Sequence, residues 1–253
     1  MNELSGRVER VEALDASMQA DMFALYARYY GGTSKALFLG DLADKQYAVI
    51  LRDGHGTLQG FSSIKVWEEC VAGRRLRVMY SGDTIVHQDH WGQQALAFTW
   101  IDFSGALKAD APALPLYWLL LVKGHRTYRY LRAFYRVFYP ALQRETPPET
   151  KSLMDHLAAE KVGDFYNPAT GVVHFPRSRG HLKADWAEIP EKDRRRPDVL
   201  FFLQRNPGYD QGDELVCLTE LSLENQNPLA ARIFAAGYAR GLAATVAADS
   251  LTV

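Results

Sequence analysis

Residues 80–96, YSGDTIVHQDHWGQQAL, decide the fold. They alternate as a strand to Val86, break at a polar run that holds Gly92, and pass into a helical period from about Gln93 to Lys108. The strand LPLYWLLLV (114–122) follows, and then a strongly amphipathic helix over 125–138. Strand, helix, strand, helix implies a parallel pair of strands joined by a crossover.

Upstream, YAVILRD, TLQGFSSIKVWEE and LRVMYSGDTIVH are separated by the turns DGHG and AGRR, which predicts an antiparallel three-strand meander. Residues 6–14 alternate weakly as a first strand. Asp15 and Ser17 offer N-cap chemistry to a helix reaching about Tyr30, Gly31 and Gly32 stop it, and Thr33 or Ser34 caps a second short helix. Beyond Pro140 the composition shifts to a charged, Gly- and Pro-bearing stretch ending in EKDRRRP, with a short helix near 151–160 and a hairpin around Asn167–Gly171. This marks 141–198 as an insertion within one domain spanning 1–253. Two strands, DVLFFLQRN and DELVCLTEL, are expected to close the sheet as a hairpin, and a final helix begins after Asn227 and Pro228.

The 253 residues, 47% hydrophobic, supply ample core, and 29 Lys plus Arg against 30 Asp plus Glu leave no overall footprint of a nucleic-acid binder. The polar start MNELSGRVERVEALD does not read as a secretory leader, and the longest apolar run, 114–122, is far short of the roughly 20 residues of a membrane span. A soluble, cytoplasmic protein is expected. Cys70 and Cys217 stand far apart with no ligand spacing and read as small hydrophobes. His87, Asp89 and His90 are metal-capable types, but they lack further ligands, so no metal site is expected. Absent G-x-S-x-G, Walker, H-E-x-x-H and Rossmann motifs remove the commonest hydrolase, NTPase, zincin and dehydrogenase classes.

This order of elements resembles the GNAT acyltransferase fold, an α/β (α+β) architecture. Its mixed, mostly antiparallel sheet is flanked by helices, and its fourth and fifth strands splay apart in a V. Val86, His87, Asp89, His90, Gly92 and Gln93 fit the family's donor-loop run of Val, His, Pro, acidic, aromatic, Arg, Gly, Gln, Gly. Trp91 stands where Arg or Gln is usual, Gln94 replaces the central Gly, and Leu96 replaces the last small residue. The chain thus looks like a divergent member with a degenerate acyl-CoA pyrophosphate loop.

The resemblance implies a thioester donor, either acyl-coenzyme A or the phosphopantetheine of an acyl carrier protein, met by Ile85, Val86, His87, Trp91, Gly92, Gln93, Gln94 and Ala95. Backbone N–H groups at a helix N-terminus suit a pyrophosphate, and glycine permits close approach. Tyr117–Val122 resembles the fifth strand. Tyr135, in HRTYRYLRAFYRVFYP, matches the tyrosine that protonates the leaving thiolate, and Asp83 falls where the fourth strand bulges. Asp83 is therefore read either as the base for an incoming amine or as a turn-type polar residue. The implied reaction is acyl transfer to an amine of a small molecule or protein.

On the predicted helix 125–138, Arg126, Arg129, Arg132 and Arg136 fall within an arc of about 120° at roughly 100° per residue, opposite an aromatic face. No acidic residue stands between 111 and 144, and Lys123 and Arg144 extend the basic patch. The stripe is either a solvated face or a docking surface for an acidic partner such as an acyl carrier protein. The alternative to an enzyme is thus a non-catalytic GNAT-like module that docks an acidic partner through this helix.

Overall fold

Local signals and burial agree along most of the chain. In the computed structural model, which describes residues 3–250, β1 (Ser5–Arg10) leads to α1 (Ala16–Tyr29). Asp15 caps that helix by accepting from the Met18 N–H at 2.7 Å. The short β2 (Tyr30–Gly31) precedes α2 (Lys35–Ala43), whose cap is Ser34. The meander follows as β3 (Tyr47–Arg52), β4 (Leu58–Val71) and β5 (Arg74–Val86), then α3 (Ala95–Asp110), β6 (Leu116–Val122) and α4 (His125–Phe134).

Residues 141–205, which take in the expected insertion and run past it, contribute α5 (Pro148–Val162), β7 (Tyr166–Asn167), β8 (Val172–Val173), β9 (His181–Leu182), α6 (Ala184–Ala187), α7 (Glu191–Arg194) and α8 (Pro197–Arg205). β10 (Glu214–Glu220) and α9 (Pro228–Ser250) close the chain. One eight-stranded sheet has the order β1-β3-β4-β5-β6-β10-β8-β7, and β2 pairs separately with β9. Only β5 and β6 run parallel in it; the other pairs are antiparallel. This is the mixed, mostly antiparallel sheet that the resemblance implied.

Two-residue periodicity distributes β3 between two layers. Ala48 and Ile50 pack under α1 and α2, while Val49 and Leu51 face α3. Further along, Val78, Tyr80, Leu119, Val216 and Leu218 pack under α5. Helices therefore cover both faces. α3 and α9 cross with backbones nearly touching: a Cβ added at Gly105 would lie 2.1 Å from the Phe234 carbonyl oxygen, and one at Gly237 1.8 Å from that of Asp102.

Three expectations are corrected. DVLFFLQRN is α8, not a strand: Pro197 opens it, and Val199 and Phe202, three apart, are its buried residues together with Asp198. The closing hairpin is therefore absent. β10 enters alone against β6, and the hairpin at that end of the sheet is β7–β8, around 167–171. The predicted helix 125–138 stops at Phe134, because the backbone of Arg136 donates to Asn225 and Tyr139 bonds in both directions with Leu218. Among the described residues no helix is long and apolar enough to cross a membrane.

Candidate functional site

β5 and β6 pair from Arg77–Leu116 to Ser81–Leu120 and then part. β6 continues against β10 as far as Val122, and β5 continues against β4 as far as Val86. The divergence coincides with a bulge, since Ser62 pairs Thr84 and Ile64 pairs Ser81, leaving Gly82 and Asp83 opposite Ser63. Gly82 is closely packed there: a Cβ would meet Ser63 Oγ at 2.6 Å and Lys45 Cε at 2.9 Å, so those side chains would have to shift. At the apex the Trp118 indole donates to Ser81 Oγ at 2.8 Å.

One side of the V opens on a cleft of about 820 Å³. Of the residues implied to meet the donor, Ile85, Val86, Trp91, Gly92 and Gln93 line it. His87, Gln94 and Ala95 do not. The His87 N–H bonds to the Gln59 carbonyl of the β4 side, and burial together with Arg28 holds its pKa low. Gln94 is exposed and donates to the Gly92 carbonyl, and Ala95 opens α3 against the core. Leu96 is buried, so it does not stand in the loop. With the His87 N–H facing β4, two-residue alternation turns the backbone groups of Val86 and Thr84 toward the cleft. The Val86 carbonyl accepts from Trp91 Nε1 at 2.9 Å.

The basic helix contributes to this cleft rather than only to solvent. Arg126 lies 4.3 Å over the Trp91 ring and donates to the Trp186 carbonyl, and Trp91 and Trp186 meet edge to face at 5.6 Å. Arg129 pairs with Asp193 at 3.2 Å and Asp198 at 3.8 Å. Arg132 remains exposed on the helix, and Arg136 is exposed but lies beyond its end. The expected row of four outward guanidinium groups is thus split in two. His125, whose place in the site the sequence did not signal, also lines the cleft; burial lowers its pKa to about 4, and Nε2 has no partner.

Tyr135 does not line the large cleft. It borders an apolar cavity of about 40 Å³ with Trp100, Trp118 and Phe134, and its hydroxyl is buried without a hydrogen-bond partner among the described residues. Burial raises its pKa. Thr84, Thr127 and Tyr130 border both spaces.

The opposite side of the V is charged. Lys123, at the end of β6, pairs with Glu214 at the start of β10 at 3.0 Å. Lys123 lies within the fold, so it is not part of an outer basic patch. Burial works against its charge, but Glu214, Tyr26 and Asp83 outweigh this and hold its pKa well above the ordinary value. Asp83 keeps part of its surface on the cavities, yet burial raises its pKa to about 6, with Lys123 opposing the rise and Asp41 adding to it. Tyr26 and Tyr30 stack at 4.6 Å beside it, and burial pushes Tyr30 up to about 12. A cavity of about 60 Å³ at the V holds Asp83, Lys123, Thr84 and Thr127, and an outer one of about 90 Å³ adds Lys161 and Arg179.

The fold resembles that of the GNAT acyltransferases. No family model and no curated protein matches the sequence. Among solved structures, a conserved protein of unknown function from Enterococcus faecalis V583 is 14% identical, with a TM-score of 0.40 over 53% of this chain and 33% of that one. A GNAT family N-acetyltransferase from Escherichia coli in complex with CoA is 17% identical, with a TM-score of 0.38 over 53% of this chain and 69% of that one. A ribosomal-protein-alanine N-acetyltransferase from Brucella melitensis biovar Abortus 2308 is 22% identical, with a TM-score of 0.34 over 46% of this chain and 79% of that one.

Sequence reading passed over Glu214, Tyr26, Tyr30, Trp186 and Arg179 as site residues. One signal was available for Glu214 and Lys123. Each is a charge that flanks an apolar strand run, Lys123 after LLLV and Glu214 before LVCL, and the register Leu215–Val122 brings them together.

Proposed function

We propose that this protein transfers an acyl group from a thioester to an amine. The observation that carries the reading is the position of Asp83, on a bulge where two parallel strands part, between a large cleft and a charged cavity. A carboxyl with a pKa of about 6 is ionised at neutral pH and still basic enough to take a proton from an attacking amine. The amine nitrogen bonds to the thioester carbonyl carbon and its proton passes to Asp83. The carbonyl oxygen, negative in the intermediate, is met by the backbone N–H groups that β5 turns toward the cleft. The C–S bond then breaks, and the sulfur takes a proton from Tyr135, whose hydroxyl has no competing partner.

The donor in this reading is a coenzyme A ester. Lys192 and Arg126 give the 820 Å³ cleft cationic groups for its phosphates, and Gly92 leaves open space beside the loop. Calorimetric titration with coenzyme A and its acetyl ester should give micromolar binding, followed by thiol release once an amine is added. A carrier-bound donor, docked at the exposed Arg132 and Arg136, is indicated instead if only acyl carrier protein supports thiol release. The filled base of the V, with Trp100 and Trp118 leaving about 40 Å³, favours a second reading as a non-catalytic module. Failure to bind coenzyme A or acyl carrier protein would leave that module reading in place of the enzyme.

A further inference from the structure

The charges around the outer cavity pair off with two exceptions. Lys123 is matched by Glu214, Lys161 bonds to Asp44 at 3.1 Å, and Asp41 is held by Lys45 at 2.8 Å. Among the described residues, neither the Asp83 carboxylate nor the Arg179 guanidinium has a hydrogen bond or an ion pair. Both line the same cavity of about 90 Å³. Arg179 rests 5.2 Å over the Phe175 ring, which leaves its N–H edges available. An anion and a cation without a direct hydrogen bond or ion pair thus face a small common space, with Lys123 and Lys45 near enough to Asp83 to favour its charge.

Their places in the fold give that space a direction. Asp83 also lines the inner cavity at the V with Thr84 and Thr127, residues shared with the donor-side cleft. Arg179, on the insertion, lines the outer cavity only. A ligand that satisfies both has its ammonium turned inward, toward the strands' divergence, and its carboxylate turned outward. We propose that this cavity binds a small zwitterionic amino acid, with its ammonium on Asp83 and its carboxylate on Arg179, and that this amino acid is the acyl acceptor. The second half of the proposal rests on the acyl-transfer reading above; the first does not.

The size and surrounding charges narrow the class. A volume of about 90 Å³, roughly a ninth of the 820 Å³ cleft, suits a compact amino acid better than a nucleotide or sugar phosphate. A polyamine would set a second cation against Lys161 and Arg179. A protein lysine or terminal amine would satisfy Asp83 but leave Arg179 unmatched.

Binding is measured first without donor, by calorimetry with L-alanine, L-alanine methyl ester and N-acetyl-L-alanine. L-Alanine should bind about tenfold or more tightly than either relative, because each lacks one of the two charge-assisted contacts. In Arg179→Gln the preference for L-alanine over its methyl ester should fall to about one, and in Asp83→Asn the preference over N-acetyl-L-alanine should collapse in the same way. Equal binding of all three by the unaltered protein overturns the zwitterion site. Thiol release from acetyl-coenzyme A is then followed with the same amines. Selective L-alanine binding without thiol release from either acetyl-coenzyme A or acetylated acyl carrier protein overturns the acceptor role and the acyl-transfer reading, but keeps the site. Turnover of the ester as efficient as that of the free amino acid removes the site and keeps acyl transfer.

Discussion

Replacing Asp83 with Asn separates catalysis from stability, because the two respond to its raised pKa in opposite directions. An acid whose pKa rises on folding stabilises the fold only while protonated. That contribution is present below the ordinary value of 3.8 and is lost as pH climbs through about 6. At pH 7.5 the ionised carboxylate is therefore a burden: burial outweighs the attraction of Lys123, and Asp41 and Glu214 add repulsion. A rise from 3.8 to about 6 corresponds to about 3 kcal/mol at full burial, and about 1 to 2 kcal/mol once solvent at the cavity is allowed for. Asp83→Asn should thus be more stable than the parent at pH 7.5 in urea denaturation, with the difference fading by about pH 4. The same variant should lose roughly 100- to 10,000-fold in kcat/KM. The parent's rate should rise about tenfold between pH 5 and 7 as the carboxyl ionises, and the variant should lack that limb. A variant less stable than the parent at pH 7.5, or one that keeps both rate and limb, refutes the assignment.

Three further outcomes follow from particular contacts. Tyr135→Phe removes a buried hydroxyl that has no partner, so it should leave stability within about 1 kcal/mol of the parent while lowering turnover about 100-fold, read by denaturation and thiol release. Gly237→Ala places a Cβ against the Asp102 carbonyl and should destabilise by roughly 2 to 4 kcal/mol by forcing α9 off α3, read as a lower thermal midpoint. Arg126→Ala removes the cation stacked on Trp91 and its bond to the Trp186 carbonyl; amide exchange around 182–190 should quicken, whereas unchanged protection would show that the β2–β9 pairing alone holds that segment.

The parts of the fold legible in the sequence are those set by neighbouring residues. Strand alternation and the DGHG and AGRR turns place β3, β4 and β5, and Asp15 and Ser34 cap the helices that follow them in sequence. The errors fall where local pattern is ambiguous or overruled. VLFFL in α8 is an apolar run that fits strand and helix alike, and only Pro197 at its start favours a helix. The aromatic pattern of α4 continues to Phe138, which is indeed buried, but Asn225 and Leu218 capture the backbone there and end the helix early. The bulge at Asp83 was expected only through the resemblance, and nothing near it in sequence announces Lys123 or Glu214.

Charge shows the same division with a functional consequence. In sequence, Arg129 stands in a long stretch with no acid, and a stripe of uncompensated cations suggests an acidic partner outside the protein. In space, Asp193 and Asp198 of the insertion reach Arg129, and Arg196 joins the same pair of carboxylates at 3.9 and 3.4 Å. The insertion thereby neutralises part of the basic helix from within and leaves Lys192 beside the cleft as a cation with no ion pair among the described residues. Arg129, Asp193 and Arg196 all line the cleft, so this pairing offsets charge within it, while Arg132 and Arg136 keep theirs on the outer surface.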